Sequence, residues 1–199
     1  RIMNTLNQIV KNNTFESVAI LKALNKAHRY LGELKGVCQS MPNQQILIST
    51  LALQEAKDSS EIENIITTQD ELFKYQLQAN NKNIAAKEVS QYSDAMNCVF
   101  EQLQTHNLIT TNTMVEAQKI IKGNDAGLRT QQGTTLFNEK SGEVVYAPPN
   151  PDELPELLKD LEQFINNIDI EPDLDPLIKM AIIHHQFESI HPFYDGNGR

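Results

Sequence analysis

Apolar side chains recur along this chain with the spacing of amphipathic helices. Between residues 15 and 34 they recur at steps of three with one step of four, at Val18, Leu21, Leu24, Ala27, Leu31 and Leu34, which predicts one apolar helix face. Thr14 can cap the start of that helix. Gly36 and Pro42 bracket a break, and Asn43 can cap a second helix after it.

Further segments continue the helical pattern. Residues 59–66 are predicted to form a short helix of their own. Residues 85–103 carry apolar positions at alternating steps of three and four, which is a strong helical signal. Thr111 or Thr113 can start another helix, and Gly123 can close it.

A single β signal interrupts the helices between residues 134 and 147. Two segments rich in β-branched and aromatic side chains flank a five-residue loop that contains Gly142. This arrangement predicts a β-hairpin. Pro148 and Pro149 end it because proline donates no ladder hydrogen bond.

Two more helices follow the hairpin, each with a proline in its first turn. Asn150 and Pro151 begin the first, and Asp175 and Pro176 begin the last. The last helix points its C-terminal end at a loop that starts with His191. The predicted fold class is therefore all-α with one β-hairpin.

The composition is that of an ordinary globular protein. The chain has 199 residues, of which 40% are hydrophobic and 22% charged, so it can bury a core and is not typical of a disordered protein. Its net charge of -9 argues against a general electrostatic grip on nucleic acid. No window reaches the roughly 18 apolar residues that a membrane helix requires.

The cysteines and the two ends of the chain indicate the cellular compartment in which the protein is expected. Cys38 and Cys98 have no metal-binding or redox spacing, so we expect no structural zinc and a reducing environment. No secretory leader pattern opens the chain, and we therefore predict a cytoplasmic protein. The chain begins at Arg1 rather than methionine, and both ends look like cuts in a longer parent.

Residues 191–199 carry the densest chemistry in the chain. Pro192 favours extended geometry for the preceding residue and ends the helix, which places His191 at the helix exit. A neutral imidazole there can accept a proton from an alcohol near pH 7. Asp195 offers a hard oxygen ligand for Mg²⁺, and Gly196 lets the backbone approach a ligand closely.

The end of the same loop can hold phosphate. Gly198 gives the backbone further freedom to turn. If a helix starts near Asn197, its free N–H groups form a cradle for phosphate oxygens. Arg199 can add a bidentate phosphate contact. The structural alternative is an ordinary turn, because aspartate, glycine and asparagine are all turn formers.

The complete string HPFYDGNGR resembles the signature of the Fic family, HxFx(D/E)GNGRxxR. The second arginine of that signature would fall three positions beyond Arg199. Residues 144–166 resemble the flap hairpin and following helix of the family, and residues 56–68 resemble the N-terminal region of its larger members. The resemblance implies a Fic-fold helical bundle with a hairpin flap. Residues 1–80 would form an N-terminal helical region, and residues 81–199 a Fic domain truncated within its motif.

Fic proteins mostly transfer AMP from ATP to a hydroxyl group of a protein target. The resemblance implies ATP and Mg²⁺ as cofactors and a Ser, Thr or Tyr side chain of another protein, or of the chain itself, as acceptor. It leaves the oligomeric state open, a homodimer included. The resemblance implies that His191 is the base and that Asp195 is the Mg²⁺ ligand. It implies an anion hole formed by the N–H groups of Gly196, Asn197 and Gly198. Arg199 would contact the phosphates.

Residues 59–64 match the inhibitory motif (S/T)xxxE(G/N) of Fic proteins, with Ser59, Glu63 and Asn64 at the defined positions. The resemblance implies that Glu63 pairs with the second motif arginine. It would then occupy the place of the γ-phosphate in the ATP site and keep basal activity low. A solvated surface glutamate is the structural alternative. Removal of AMP with the help of the same glutamate is a further hypothesis.

The predicted hairpin has its own chemistry. A hairpin edge exposes unpaired N–H and C=O groups, so an extended segment of a target could add to it as a strand. Leu136, Phe137, Val144 and Val145 are the candidate flap residues. Plain packing within the hairpin is the alternative for each of them.

Two other functions fit the same motifs. A Fic-type enzyme could transfer another phosphate-containing group, such as phosphate, UMP or phosphocholine. A degenerate Fic domain could instead serve as a non-catalytic binding module, although the intact His191 and Asp195 argue against it.

Overall fold

The structure of the protein is a computed structural model that describes residues 6–12, 15, 17–62, 64–77, 82–138, 141–166 and 174–198. Within these residues lie eight α-helices, one short 3₁₀ turn and one two-stranded antiparallel sheet. The elements are α1 (Leu6–Asn12), α2 (Val18–Ser40), α3 (Gln44–Ile62), α4 (Gln69–Leu77), α5 (Ile84–His106), α6 (Thr111–Lys122), β1 (Leu136–Phe137), β2 (Val144–Tyr146), the 3₁₀ turn (Pro151–Glu153), α7 (Leu154–Asn166) and α8 (Pro176–Ile190). The prediction of an all-α chain with one β-hairpin is confirmed.

Side-chain caps explain where several helices begin. Asp175 accepts a hydrogen bond from the N–H of Leu177 at the start of α8, as predicted. Gly123 closes α6 in the left-handed conformation, with a φ of 62°. The predicted cap Thr14 lies outside the described residues. The helix there begins at Val18, and the side chain of Ser17 caps it.

Two predicted boundaries are wrong at the N-terminal end. The helix predicted to break at Gly36 continues to Ser40, because one glycine weakens a helix without ending it. Residues 59–66 do not form a separate helix. Residues 59–62 are the end of α3, and the chain turns at Asn64 with a φ of 61°, a conformation that asparagine tolerates better than most residues.

Two short helices were not predicted, α1 and α4. Helix α4 begins with a capping box: the N–H of Glu71 donates to the hydroxyl of Thr68, and the N–H of Thr68 donates to the carboxylate of Glu71. The Thr-x-x-Glu spacing is visible in the sequence. Its apolar stripe is too short to carry a periodic signal.

Two buried clusters hold the described residues together. One joins α3, α4, α5 and α6 around Val89 and Tyr92. The other joins α1, α7 and α8, with Leu158, Leu161 and Ile190 fully buried. Ile190 is the last residue of α8, so its burial fixes the end of that helix against the core just before His191.

The hairpin projects its strands from the helical body. Leu136 pairs with Tyr146 and Phe137 with Val144, with an irregularity between the two pairs. Because this sheet has two strands, each strand has an outer edge that no other strand pairs with in the described part of the chain. None of the described helices combines the length and the apolar character that a membrane span requires.

Candidate active site

His191 lies at the C-cap of α8 in an unusual backbone conformation. Its φ and ψ are 49° and 59°, in the left-handed region, which few non-glycine residues adopt. The predicted end of the helix at this residue is confirmed. The extended geometry expected from Pro192 is wrong, because the N–H of His191 still bonds the carbonyl of Phe187 and the chain leaves the helix in a tight left-handed turn.

Arg129 holds this turn in place. Its Nε donates to the carbonyl of His191 at 2.6 Å, and its Nη2 donates to the carbonyl groups of Pro149 at 2.6 Å and Ile190 at 3.3 Å. Its backbone N–H donates to the carbonyl of Pro192 at 2.9 Å. The Arg129 residue is only 2% exposed. One buried guanidinium therefore joins the end of α8 to the segment that leaves the hairpin.

Two tyrosines reinforce the same connection. The hydroxyl of Tyr194 accepts the N–H of Thr130 at 2.8 Å and lies 2.9 Å from the hydroxyl of Thr130. The hydroxyl of Tyr146, on β2, donates to the carbonyl of Ser189 at 2.8 Å. The hydrogen bonds from Thr130 lower the pKa of Tyr194.

The surroundings of His191 favour the neutral imidazole. Burial lowers its pKa below the ordinary value of 6.5, and the positive charge of Arg129 lowers it further. The backbone carbonyl of Glu188 acts in the opposite direction. The Nδ1 atom is buried and has no hydrogen-bond partner among the described residues. The ring is thus uncharged near pH 7 and able to accept a proton.

Asp195 forms an ion pair that the sequence did not predict. Its Oδ2 lies 2.5 Å from Nζ of Lys122, the last residue of α6, and its Oδ1 accepts the N–H of Gly196 at 2.7 Å. The Lys122 side chain is 18% exposed and also lies 3.9 Å from Glu88. The lysine stem runs along Gly196, since a Cβ there would lie 3.5 Å from its Cδ.

Asn197 closes the loop on itself. Its buried side chain accepts the N–H of Phe193 and donates to the carbonyl of Phe193, both at 2.9 Å. Gly196 adopts a φ of 83° between them, which only glycine reaches without strain. Phe193 is itself buried, so the loop is anchored in the core.

The loop offers limited ligation for a metal ion. No group of three or more histidine, cysteine, aspartate or glutamate side chains suited to a metal occurs among the described residues. Asp195 is the acidic side chain of the loop, and it is largely exposed. The site therefore fits a Mg²⁺ ion that takes one carboxylate from the protein and its remaining ligands from phosphate and water, rather than a closed protein cage.

Three of the four candidate flap residues are largely exposed. Phe137 is 57% exposed, Val144 55% and Val145 69%, whereas Leu136 is half-buried. Packing within the hairpin accounts for Leu136. Packing within the hairpin covers the other three only in part, since each keeps more than half of its surface exposed.

The candidate inhibitory residues are described only in part. Ser59 lies near the end of α3 and its hydroxyl donates to Glu55 at 2.7 Å. Asn64 forms the turn that follows, and its N–H donates to the carbonyl of Glu61 at 3.1 Å. Glu63 and the phosphate-contact candidate Arg199 lie outside the described residues.

Sequence reasoning missed Arg129, Lys122, Thr130 and Tyr146. From the sequence, Lys122 is interpreted as a cation that interacts favourably with the C-terminal end of a helix dipole. Arg129 is interpreted as an ordinary charged residue in a polar loop. The partners of Arg129 are backbone carbonyls 20 to 63 positions further on, and the partner of Lys122 is the carboxylate of Asp195 in the terminal loop. No local spacing signals such contacts.

Comparison with known proteins identifies similar chains. Residues 21–101 match the family described as Fic/DOC family N-terminal. A probable protein adenylyltransferase of Aquifex aeolicus is 32% identical over 156 residues, which are 75% of this chain and 45% of that protein. A protein adenylyltransferase of Caenorhabditis elegans is 37% identical over 99 residues, which are 47% of this chain and 18% of that protein. The chain thus spans less than half the length of either relative.

Solved structures share the fold. A Fic family protein from Desulfovibrio desulfuricans superimposes with a TM-score of 0.70 at 20% identity, over 92% of this chain and 55% of that one. At this identity the likeness concerns the fold alone. The fold is helical with one hairpin, as the described elements are.

We expect Asn197→Ala to open the loop locally. The N–H and C=O of Phe193 would lose their partners, and the amide proton of Phe193 should exchange with solvent about tenfold faster or more, equivalent to about 1.4 kcal/mol. Hydrogen exchange followed by NMR measures this. The matched control is Asn124→Ala, which removes an exposed turn contact and should leave the exchange of Phe193 unchanged. Equal exchange in both variants would contradict the role of Asn197.

Proposed function

We propose that this chain, which belongs to the Fic family, carries the catalytic centre of a protein adenylyltransferase that moves AMP from ATP to a hydroxyl group of a target protein. The observation that carries the proposal is the placement of His191. A neutral imidazole is held at a fixed helix end, beside a closed glycine loop that bears Asp195. The names of the relatives support AMP transfer as the type of reaction.

His191 acts as the general base. It takes the proton from a Ser, Thr or Tyr hydroxyl of the target as that oxygen attacks the α-phosphorus of ATP. One P–O bond forms to the target, the P–O bond to pyrophosphate breaks, and the proton remains on the imidazole. General-base assistance of this kind contributes roughly 10² to 10⁴ in rate.

The loop that follows binds the nucleotide. The N–H groups of Gly196, Asn197 and Gly198 bind phosphate oxygens, and Arg199 adds a cationic contact. Asp195 would hold Mg²⁺, with phosphate oxygens and water completing its ligands, and the ion would neutralise charge on the phosphates. Since Lys122 occupies one oxygen of Asp195, the metal and nucleotide would bind by displacing the lysine or by sharing the carboxylate with it.

The hairpin positions the target. An extended target segment adds to an outer hairpin edge through backbone hydrogen bonds, which fixes the acceptor hydroxyl with little sequence discrimination. The exposed Phe137, Val144 and Val145 give such a segment apolar contacts. Leu136 supports the hairpin from its inner side.

Glu63 inhibits AMP transfer, and this inhibition is called the brake below. In the sequence, Glu63 directly follows Ile62, the last residue of α3, and forms the inhibitory motif together with Ser59 and Asn64. A carboxylate that pairs with a phosphate-binding arginine blocks the γ-phosphate of ATP from its productive position. We further propose a cytoplasmic enzyme, because ATP is its substrate and because Cys38 and Cys98 are thiols rather than a disulfide, which fits a reducing compartment.

We predict that His191→Ala lowers AMP transfer by at least about 100-fold, because the base is lost. Transfer is measured with labelled ATP on target protein or on the chain itself, and mass spectrometry of the product identifies the transferred group. His184→Ala, on the exposed side of α8, is the matched control and should keep wild-type activity. An added mass of phosphate, UMP or phosphocholine would replace AMP as the transferred group, and full activity of His191→Ala would exclude this residue as the base.

The pH dependence should report the same imidazole. Because the pKa of His191 is lowered from 6.5, the base form persists to lower pH. The acidic limb of kcat/KM should therefore fall below pH 6.5 and move with the titration of this residue. An acidic limb above pH 6.5 would show that another group limits the reaction.

The brake is tested by Glu63→Gly, which should raise AMP transfer sharply because the γ-phosphate gains its productive position. Glu61→Gly is the matched control. Glu61 lies two residues earlier, is largely exposed and pairs with Lys57 at 3.6 Å, so its loss should leave the rate near wild type. Equal rates for wild type and Glu63→Gly would refute the brake.

A further inference from the structure

We propose that Arg129 is a positioning residue for His191, joining the base and the flap into one unit through backbone carbonyl groups at the end of α8 and after the hairpin. The proposal deepens the proposed function and rests on it for the role of His191. Arg129 contacts neither the 195–198 segment nor the flap side chains in any described hydrogen bond. It therefore acts through the backbone of the loop rather than on a substrate.

The end of α8 needs an external partner. The last carbonyl groups of a helix have no partner within the helix, and a buried carbonyl without a partner is costly. Arg129 supplies two donors to the carbonyls of Ile190 and His191, and its backbone N–H serves the carbonyl of Pro192. A cation at a helix C-terminus also interacts favourably with the helix dipole.

The left-handed conformation of His191 needs the same support. A non-glycine residue in this region is strained and persists only where surrounding contacts over-determine it. The carbonyls on both sides of the strained residue, and its own, all accept from Arg129. The arginine therefore stabilises the one backbone conformation that sets the direction of the imidazole.

The third guanidinium contact of Arg129 connects the end of α8 to the segment that follows the flap. Nη2 of Arg129 donates to the carbonyl of Pro149, three residues after β2. The Tyr146–Ser189 hydrogen bond also joins the hairpin to the end of α8, and the Thr130–Tyr194 hydrogen bond joins the segment that carries Arg129 to the loop after His191. The fork of an arginine reaches carbonyls in two directions at once, which the single ammonium of a lysine does not reproduce.

The first experiment compares Arg129→Met and Arg129→Lys with wild type in the full chain. We expect kcat for AMP transfer to fall by about 100-fold in Arg129→Met, with the KM for ATP within roughly twofold because the phosphate cradle is not in direct contact with the side chain. Arg129→Lys should retain intermediate activity. Lys119→Met is the control, because it removes an exposed cation paired with Asp125 at 3.2 Å, and it should match wild type.

A second readout does not depend on activity. The pKa of His191 is followed by NMR in each variant. The groups that act on this ring are the Arg129 charge, from the loop before the flap, and the Glu188 carbonyl on α8. Loss of the charge should raise the pKa of His191 in Arg129→Met, and Arg129→Lys should stay closer to wild type. If wild type transfers no AMP, the proposed function fails while this titration still tests the arginine.

Tyr146→Phe covers the case in which Arg129→Met does not fold. It removes one hydrogen bond of the same connection, to the carbonyl of Ser189, and leaves the guanidinium in place. We expect a fall in kcat of a few-fold at an unchanged thermal unfolding midpoint. Wild-type kcat in Arg129→Lys and Tyr146→Phe, or wild-type kcat with an unchanged His191 titration in Arg129→Met, would overturn the proposal.

Discussion

The hydrogen bonds from Arg129 to the carbonyls around His191 are the interaction on which the site depends. They give hydrogen-bond partners to the last carbonyl groups of α8 and stabilise the left-handed backbone of His191. They also place a positive charge near the imidazole. The three effects work together. The hydrogen bonds fix the backbone of His191, the proposed base, and the Arg129 charge together with burial lowers the pKa of its imidazole. A base that is both fixed and unprotonated near pH 7 is what proton abstraction from an alcohol requires.

The glycine loop is organised in advance of any ligand. The side chain of Asn197 hydrogen-bonds both the backbone N–H and the backbone C=O of Phe193. Lys122 neutralises Asp195. Although the chain is acidic overall, two cationic side chains that are buried or half-buried lie close to this loop. They are Lys122 and Arg129. For the proposed nucleotide substrate, this local positive charge matters more than the net charge of -9.

The hairpin is joined to the end of α8 by the hydroxyl of Tyr146, which donates to the carbonyl of Ser189. Phe137, Val144 and Val145 remain exposed on the hairpin, and each strand has an edge that no other strand pairs with in the described part of the chain. A target strand bound at such an edge would be fixed relative to the proposed base by the connection to α8.

The amino-acid sequence by itself determined the helical periods, most of the helix ends, the hairpin, and the histidine, aspartate and glycine loop. Each of these is encoded within a few neighbouring residues, as an apolar stripe, a cap such as Asp175, or a turn former such as Gly123. The continuous α3 and the unpredicted α4 mark where short patterns are ambiguous. Tertiary structure alone decided that Arg129 and Lys122 belong to the site, and that His191 is left-handed rather than extended. Those outcomes depend on contacts between residues about 60 to 70 positions apart, and such contacts exist only after the helices have packed.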